Sequence, residues 1–291
     1  GTFSIGALGT LRISDISGLL PGEFPQSFSI YTLDIASTVE YDGAGAAYVA
    51  LPAAASSGWG NLTISTSGTK TLNGAFNTVR GALKLNGGTL SALGLLTMAT
   101  GSRIVRNGDD ATGIMTVSTN VGANAYTIEY TGSSKTTQTA EWSGTGTKSL
   151  RVNLNYDDTL SLNTTLTLGD SIMINEGSFL NTNGTNITAS KNASFSGHKT
   201  GTGRIVLDGV SASIYGSGRG IINALQINSA DSLTMIGDSL ALDTLILNTG
   251  KLVVGDKALV LGQASSGSNG VVTVSSPSSS KMIQVSGTLG A

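Results

Sequence analysis

The stretch "LKLNGGTL" at residues 83–90 decides the fold, because nearly the same phrase occurs twice more in the chain. It returns as "IMINEGSF" at residues 172–179 and as "LILNTGKL" at residues 245–252. Each phrase has two aliphatic residues separated by one residue, then an Asn, a Gly and another apolar residue. Since alternate residues of a strand point to opposite faces, the phrase predicts a half-buried strand that ends in a sharp corner.

The centre of each phrase has the composition of a corner. Asn and Gly tolerate the left-handed backbone conformation that a sharp corner demands, and an Asn side chain can also satisfy backbone donors there. We therefore interpret these positions as structural corner residues rather than as ligand-binding residues. They are Asn86, Gly88, Asn175, Gly177, Asn248 and Gly250.

The phrases belong to longer internal copies. The segment "TVEYDG" at residues 38–43 lies 89 residues before "TIEYTG", and the first phrase lies the same 89 residues before the second. Two anchors at one offset predict diverged copies at about 38–90 and 127–179, with a shorter third copy near 225–262. We expect residues 1–291 to form one continuous repetitive solenoid that is an excerpt or a processed part of a longer protein.

A finer period lies within the copies. Leu62 precedes Leu83 by 21 residues, and Leu225 precedes Leu245 by 20. This is the size of one coil of a β-solenoid, in which inward aliphatic residues stack on those of the next coil while Thr, Ser, Asn and Lys face water. The sequence thus predicts an all-β parallel β-helix with little or no helix. Tandem β-sandwich domains are the alternative, because 89 residues is also the size of one sandwich.

Composition favours the solenoid and excludes several functions. Charged residues make up 12% of the chain and aromatic residues 5%, which is too few large side chains for a thick core. The net charge of -2 and the absence of a basic cluster give no case for nucleic-acid binding or for direct membrane insertion. The chain has no Cys, which excludes disulfides, thiolate metal sites and cysteine nucleophiles. We expect no cofactor.

Several segments resemble a known group of proteins. The stretches "STVEYDGAGAAYV", "ALKLNGGTLSA" and "TIEYTGSSKTTQTAEW" are similar to the repeat regions of large surface proteins that Bacteroidota bacteria export by type IX secretion. The resemblance implies a parallel β-helix in an adhesin-like protein or filament, outside the cell or on the bacterial cell surface. We expect a structural or adhesive module, and because no catalytic constellation stands out in the sequence, we expect no enzymatic activity. Expected partners are flanking repeats or further copies of the chain end to end, and surface glycans or other cell-surface proteins.

A second resemblance concerns Asp followed by Ser or Thr and then an aliphatic residue. This triplet looks like the O-glycosylation sequon of the same bacteria. The alternative is ordinary turn composition, since Asp and Ser favour turns and an aliphatic residue begins the next strand. The acceptor hydroxyls would be those of Thr159, Ser171, Ser232, Ser239 and Thr244.

The alternative functions are a carbohydrate-active β-helix, either a lyase, a glycosidase or a phage-type spike, and a lectin-like glycan binder. A glycosidase needs two carboxylates that face each other across a cleft. The two adjacent acidic pairs follow Asn residues, and we interpret both pairs as solvated turns. They are Asp109 with Asp110, beside Arg103 and Arg106, and Asp157 with Asp158.

Three further side chains have two interpretations each. His198 is the single histidine and stands among glycines, so a surface loop is predicted rather than a metal site or a catalytic triad. Trp59 and Trp142 each stand just before a predicted strand. We expect them to cap the stack of coils, and sugar stacking is the alternative role.

Overall fold

The chain is a parallel β-solenoid. A computed structural model describes residues 1–14, 24–25, 28–52, 55, 57–73, 77–92, 96–116, 124–143, 146–262, 271–274 and 283–285. Strands account for 55% of the structure and make about 10 turns. Every strand pair between described residues for which a register is defined is parallel, which confirms the predicted parallel β-helix and rules out β-sandwiches, whose sheets are antiparallel. The chain divides into two compact units, residues 1–133 with 138–147 (unit 1) and residues 134–137 with 148–291 (unit 2).

Unit 1 contains fourteen of the described strands and one short helix. The helix α1 spans Thr139–Trp142. The strands are β1 (Thr2–Ile5), β2 (Thr10–Ile13), β3 (Ile30–Leu33), β4 (Thr38–Tyr41), β5 (Ala47–Val49), β6 (Asn61–Ile64), β7 (Thr69–Leu72), β8 (Thr78–Val79), β9 (Ala82–Leu85), β10 (Thr89–Ser91), β11 (Thr97–Met98), β12 (Arg103–Arg106), β13 (Ile114–Met115) and β14 (Tyr126–Gly132).

Unit 2 contains the other sixteen described strands. They are β15 (Lys135–Thr136), β16 (Lys148–Leu154), β17 (Thr159–Ser161), β18 (Leu166–Leu168), β19 (Ile172–Ile174), β20 (Phe179–Asn181), β21 (Ile187–Ala189), β22 (Ala193–Phe195), β23 (His198–Thr200), β24 (Ile205–Leu207), β25 (Ser213–Gly216), β26 (Ile221–Gly237), β27 (Ser239–Gly255), β28 (Ala258–Leu261), β29 (Val271–Val274) and β30 (Ile283–Val285).

The core of unit 1 is a ladder of aliphatic side chains. Leu62 pairs with Leu83 across β6 and β9, Leu83 with Ile104, and Ile104 with Ile128. All four side chains are fully buried. The 21-residue sub-period is therefore one coil, as predicted. Burying a Leu or Ile side chain contributes about 1.5–3 kcal/mol, so each coil adds a similar increment to the stack.

Unit 2 shows that a coil has three sides. Strand β27 runs around one whole coil, and its successive segments pair with β28, β29 and β30. One side carries the ladder Ile187, Ile205, Leu225 and Leu245, all fully buried. The hydrogen bonds of β26 and β27 continue around the corners, so each is assigned as a single 17-residue strand.

The second and third phrases occupy different sides of the coil. Ile172 of the second phrase stacks on Ala193, which stacks on Ile214. Leu245 of the third phrase stacks on Leu225, in the other ladder. Three coils lead from Ile172 to Met235, and Leu245 lies two sides further along the chain. The same corner chemistry therefore serves different corners of the coil.

Two lysines break the predicted rule that Lys faces water. Lys70 and Lys199 occupy inward positions, and each is 1% exposed. Lys70 pairs with Leu90, and Lys199 pairs with Leu180, so both stand in aliphatic ladders. The Lys70 amine donates to the carbonyl oxygens of Gly43 (2.7 Å), Ser67 (3.3 Å) and Gly45. An inward lysine thus donates hydrogen bonds to corner carbonyl oxygens, which an aliphatic side chain at the same position could not do.

Aromatic residues concentrate at the start of unit 1. Trp59 and Phe24 contact edge to face with ring centroids 5.7 Å apart, and Trp59 also contacts Tyr41 at 6.4 Å. Phe24 packs in turn on Phe3 and Tyr31. Large rings fill the interior here, where aliphatic ladders fill it elsewhere.

Candidate functional site

The glycines of the three phrases lie at corners with left-handed backbones. The φ angles are 61° for Gly88, 76° for Gly177 and 78° for Gly250. A Cβ on Gly88 would lie 2.2 Å from the carbonyl oxygen of Thr66 in the preceding coil. Gly88 is therefore required both by its backbone conformation and by the close approach of the preceding coil.

The asparagines of the second and third phrases stack on asparagines of the preceding coil. The Asn175 amide donates to Asn153 Oδ1 (2.5 Å), and the Asn248 amide donates to Asn228 Oδ1 (2.7 Å). Asn86 follows β9 with its side chain exposed, and its backbone N–H donates to Ile64 (2.9 Å). The sequence pattern did not identify Asn153 and Asn228 as stacking partners, although each lies about one coil before its phrase.

The five sequon hydroxyls share one structural setting. Each stands at the start of a side of the coil, is partly exposed, and is followed at once by an inward aliphatic residue. Ser171 donates to the carboxylate of the preceding Asp170 (3.0 Å). This position explains the triplet physically, since the corner favours Asp and the new side begins with a core residue. The residues are Thr159, Ser171, Ser232, Ser239 and Thr244.

The Asp109 and Asp110 pair forms a turn around a buried arginine. The Asp109 carboxylate accepts hydrogen bonds from the backbone of Ala111 (2.9 Å) and from the backbone and hydroxyl of Thr112 (2.7 and 3.0 Å). Asp110 is half-exposed and lies 3.6 Å from Arg106. These carboxylates organise their own turn and do not face each other across a cleft.

Arg106 is the centre of a buried polar cluster in unit 1. Its guanidinium contacts the Glu141 carboxylate (2.8 Å) and donates to the carbonyl oxygens of Asp109 (3.0 Å) and Gly113 (3.2 Å). Glu141 lies on α1 and accepts a hydrogen bond from the Tyr130 hydroxyl (2.5 Å). Burial raises the pKa of Glu141, and the Arg106 charge opposes that rise. Burial also raises the pKa of Tyr130 well above its usual value.

The two carboxylates of the other acidic pair, Asp157 and Asp158, have different surroundings. Asp158 accepts hydrogen bonds from the Ser134 hydroxyl (2.6 Å) and backbone (3.0 Å), which lower the pKa of its carboxyl group. Asp157 has a left-handed backbone with φ of 65° and lines a surface cleft. The pair is therefore a turn, as the sequence predicts, and one of its residues borders that cleft.

The tryptophans differ in accessibility. Trp59 is fully buried in the aromatic cluster, where no sugar can reach its face. Trp142 is partly exposed and its indole N–H donates to the Tyr130 hydroxyl (3.0 Å), so it belongs to the polar cluster.

His198 begins strand β23 and so does not lie in a loop; the flanking glycines close corners on either side of a short strand. Its ring meets the Phe179 ring edge to face, with centroids 4.8 Å apart. The two rings border a cleft of about 150 Å³ in unit 2, which Tyr156, Asp157, Glu176 and Arg219 also line. This is the candidate functional site.

The cleft combines an exposed ring with exposed charges. Tyr156 is 79% exposed and lies against Gly177, where a Cβ would come within 2.7 Å of the ring. Arg219 and Glu176 form an ion pair whose side chains are 71% and 56% exposed. The cleft is smaller than the roughly 300 Å³ or more of an enclosed small-molecule pocket, so a ligand would lie across it.

His198 also borders a second cleft of about 190 Å³. Lys199, Asn223 and Asp243 line it. The Lys199 amine donates to Asn223 Oδ1 (2.5 Å) and to the carbonyl oxygens of Gly201 (3.2 Å) and Gly203. Burial lowers the pKa of Lys199 to about 8.

The sequence pattern did not predict either cleft. Tyr156, Phe179, His198 and Arg219 lie about one coil apart from one another, so only the register brings them together. The sequence does contain a signal for the clefts, because "HKT" at residues 198–200 lies one coil after "FLN" at 179–181. In the structure this register places His198 beside Phe179 and Lys199 inward beside Leu180.

In the part of the chain that the structure describes, no three His, Asp or Glu side chains converge as metal ligands would, and no helix has the length and hydrophobicity of a membrane span. The chain matches no protein-family model, no curated protein and no solved structure.

Proposed function

We propose that this chain is a structural and adhesive module of a bacterial surface protein or appendage, that it acts outside the cell and that it has no enzymatic activity. The β-solenoid supports this proposal because its inward ladders need only aliphatic residues, while outward positions are free to vary. The short polar outward side chains carry little charge, which suits a surface that meets neutral partners such as glycans.

The observation that carries the adhesive role is the cleft at His198. Aromatic faces pack against the apolar faces of sugar rings, and charged groups hydrogen-bond their hydroxyls. The cleft is lined by residues from successive coils, which are Tyr156, Gly177, His198 and Arg219. With a spacing of about 4.8 Å between strands, the cleft crosses ~14 Å of the surface. That length suits an extended glycan of a few residues.

A glycan array tests this proposal. We expect saturable binding to a subset of glycans, lost in a Tyr156→Ala variant, because the exposed ring supplies the stacking face. The control is Tyr215→Ala, which removes another exposed tyrosine of unit 2 that does not line the cleft. Binding that survives Tyr156→Ala, or that both variants lose equally, would contradict a glycan site here.

We also propose that the module associates with flanking repeats or with further copies of itself end to end. Parallel coils terminate in strand edges whose backbone groups can pair with another coil. Light scattering over a range of concentrations should show growth of linear assemblies. A chain that stays monomeric at high concentration would restrict the partners to flanking repeats of a longer protein.

A carbohydrate-active enzyme is the second candidate function, and one observation favours it. Asp157 and Glu176 both line the cleft beside His198, which would give a sugar-cleaving site its two carboxylates. Incubation with acidic and neutral polysaccharides should yield no new reducing ends or unsaturated products if the module is only adhesive. Turnover that a Glu176→Gln variant abolishes would establish the enzyme instead.

A further inference from the structure

The environment of Lys199 brings an amine and an amide together inside the coil. Lys199 is 1% exposed, and its Nζ lies 2.5 Å from Oδ1 of Asn223, 24 residues along the chain. The amide nitrogen of Asn223 donates to the carbonyl oxygen of Gly201 (2.5 Å), which fixes the amide plane with its oxygen toward the amine.

This geometry limits the distance between the two reactive atoms. Because a carbonyl bond is about 1.2 Å long, Nζ of Lys199 lies no more than about 3.7 Å from Cγ of Asn223. Reacting atoms in near-attack arrangements are about 3–3.5 Å apart. The upper bound on the Nζ–Cγ distance is therefore about 0.2 Å beyond this range.

The amine is also able to lose its proton. Burial lowers the pKa of Lys199 to about 8, so a fraction of the side chain is neutral and nucleophilic at neutral pH, and most of it is neutral above pH 8. An ordinary exposed lysine remains protonated over this range.

We propose that Lys199 and Asn223 join in an intramolecular isopeptide bond. The Nζ lone pair adds to Cγ of Asn223, and the addition product collapses with cleavage of the Cγ–Nδ2 bond. Nδ2 leaves as ammonia and takes one proton from Nζ. The amine and the primary amide become a secondary amide and ammonia, with no oxidation or reduction.

Asp243 is placed to carry that proton. It lines the same cleft as Lys199 and Asn223, and the register of β26 and β27 puts it one coil beyond Asn223. A carboxyl group there can accept a proton from Nζ and deliver it to Nδ2.

Lys70 provides a matched control within the chain. It is equally buried and also inward, but the hydrogen bonds of its amine described above all go to backbone carbonyl oxygens. Attack on those carbonyl carbons would break the chain, so we expect no ammonia-releasing bond between Lys70 and these partners.

Intact-mass spectrometry of the denatured chain tests the bond. After incubation above pH 8, we expect the mass to fall short of the sequence mass by one ammonia. Tryptic digestion should yield one branched species that joins residues 192–204 to residues 220–251, because trypsin cannot cleave after an acylated Lys199.

Variants and outcomes complete the test. Lys199→Arg keeps the charge but removes the nucleophile, and Asn223→Ala removes the acceptor; both should show the full sequence mass, while Lys70→Arg should still lose ammonia. An unchanged mass for the parent chain, together with separate peptides 192–199 and 220–251, would overturn the proposal whether or not the variants fold.

Discussion

At the scale of single residues, the corners impose the strictest demands on the sequence. Gly88 combines a left-handed backbone with a close approach to the Thr66 carbonyl of the neighbouring coil, whereas Gly101 has a similar φ of 79° and open space around it. A substitution at Gly101 therefore measures the cost of the left-handed backbone alone, whereas one at Gly88 adds the steric clash with the neighbouring coil.

We expect Gly101→Ala to lower the free energy of unfolding by about 1–2 kcal/mol, the usual cost of a left-handed L-residue. Gly88→Ala should cost at least about 1 kcal/mol more, because its Cβ would lie 2.2 Å from a backbone oxygen that cannot move freely. Denaturant unfolding of both variants measures the difference. Equal costs would mean that the neighbouring coils can separate at this corner.

At the scale of elements, a buried ion pair links α1 to strand β12. Arg106 and Glu141 are both fully buried, whereas the ion pair between Arg219 and Glu176 in unit 2 is exposed on both sides. Buried and exposed pairs differ mainly in what remains when one partner is removed, since a buried charge left alone has neither water nor a counter-ion.

Arg106→Met should lower the free energy of unfolding by about 3–5 kcal/mol near neutral pH, because Glu141 then lacks its partner. Since the Arg106 charge holds the pKa of Glu141 down, the variant's Glu141 pKa rises further above its unfolded value. The stability that the protonated carboxyl retains at low pH is lost as the pH rises through that folded pKa, so the deficit should be smallest near pH 4.

The control for this prediction is Arg219→Met, which breaks the exposed ion pair with Glu176 and should cost less than about 1 kcal/mol at any pH in this range, as exposed pairs usually do. Thermal unfolding of both variants from pH 4 to pH 7 makes the comparison. A cost for Arg106→Met that does not change with pH would show that the lost carbonyl hydrogen bonds, and not the carboxylate, dominate.

The sequence predicted the aliphatic ladders of the core better than it predicted the polar cluster around Arg106 or the two clefts beside His198. Leu62 and Leu83 reveal the coil because one period fixes both their spacing and their burial. Arg106 and Glu141 are 35 residues apart with no shared pattern, and α1 is a single turn, so no local signal joins them. The rule that Lys faces water fails at Lys199 because the rule considers residue polarity alone, whereas the register partner Leu180 shows that Lys199 is inward.

At the scale of the whole molecule, the sequon hydroxyls are spread over several corners of unit 2. All five are partly exposed at the start of a side, where a modification would project from the surface without disturbing the ladders. The glycosylation that the resemblance implies is therefore sterically compatible with the fold.

Native material should carry added hexose-type mass on the peptides that contain Thr159, Ser171, Ser232, Ser239 and Thr244. The chain produced in a host without this glycosylation system supplies the unmodified reference mass. Identical masses from both sources would leave corner chemistry as the sufficient explanation of the triplet.

The aromatic cluster also determines which spectroscopic signals each unit produces. Both tryptophans of the chain, Trp59 and Trp142, belong to unit 1, and unit 2 has none. Indole fluorescence should therefore follow the melting of unit 1 alone, while far-ultraviolet circular dichroism sums the strands of both units. Two superimposable melting curves would mean that the units unfold together, and a separation between the curves would give the stability of unit 2 without any label.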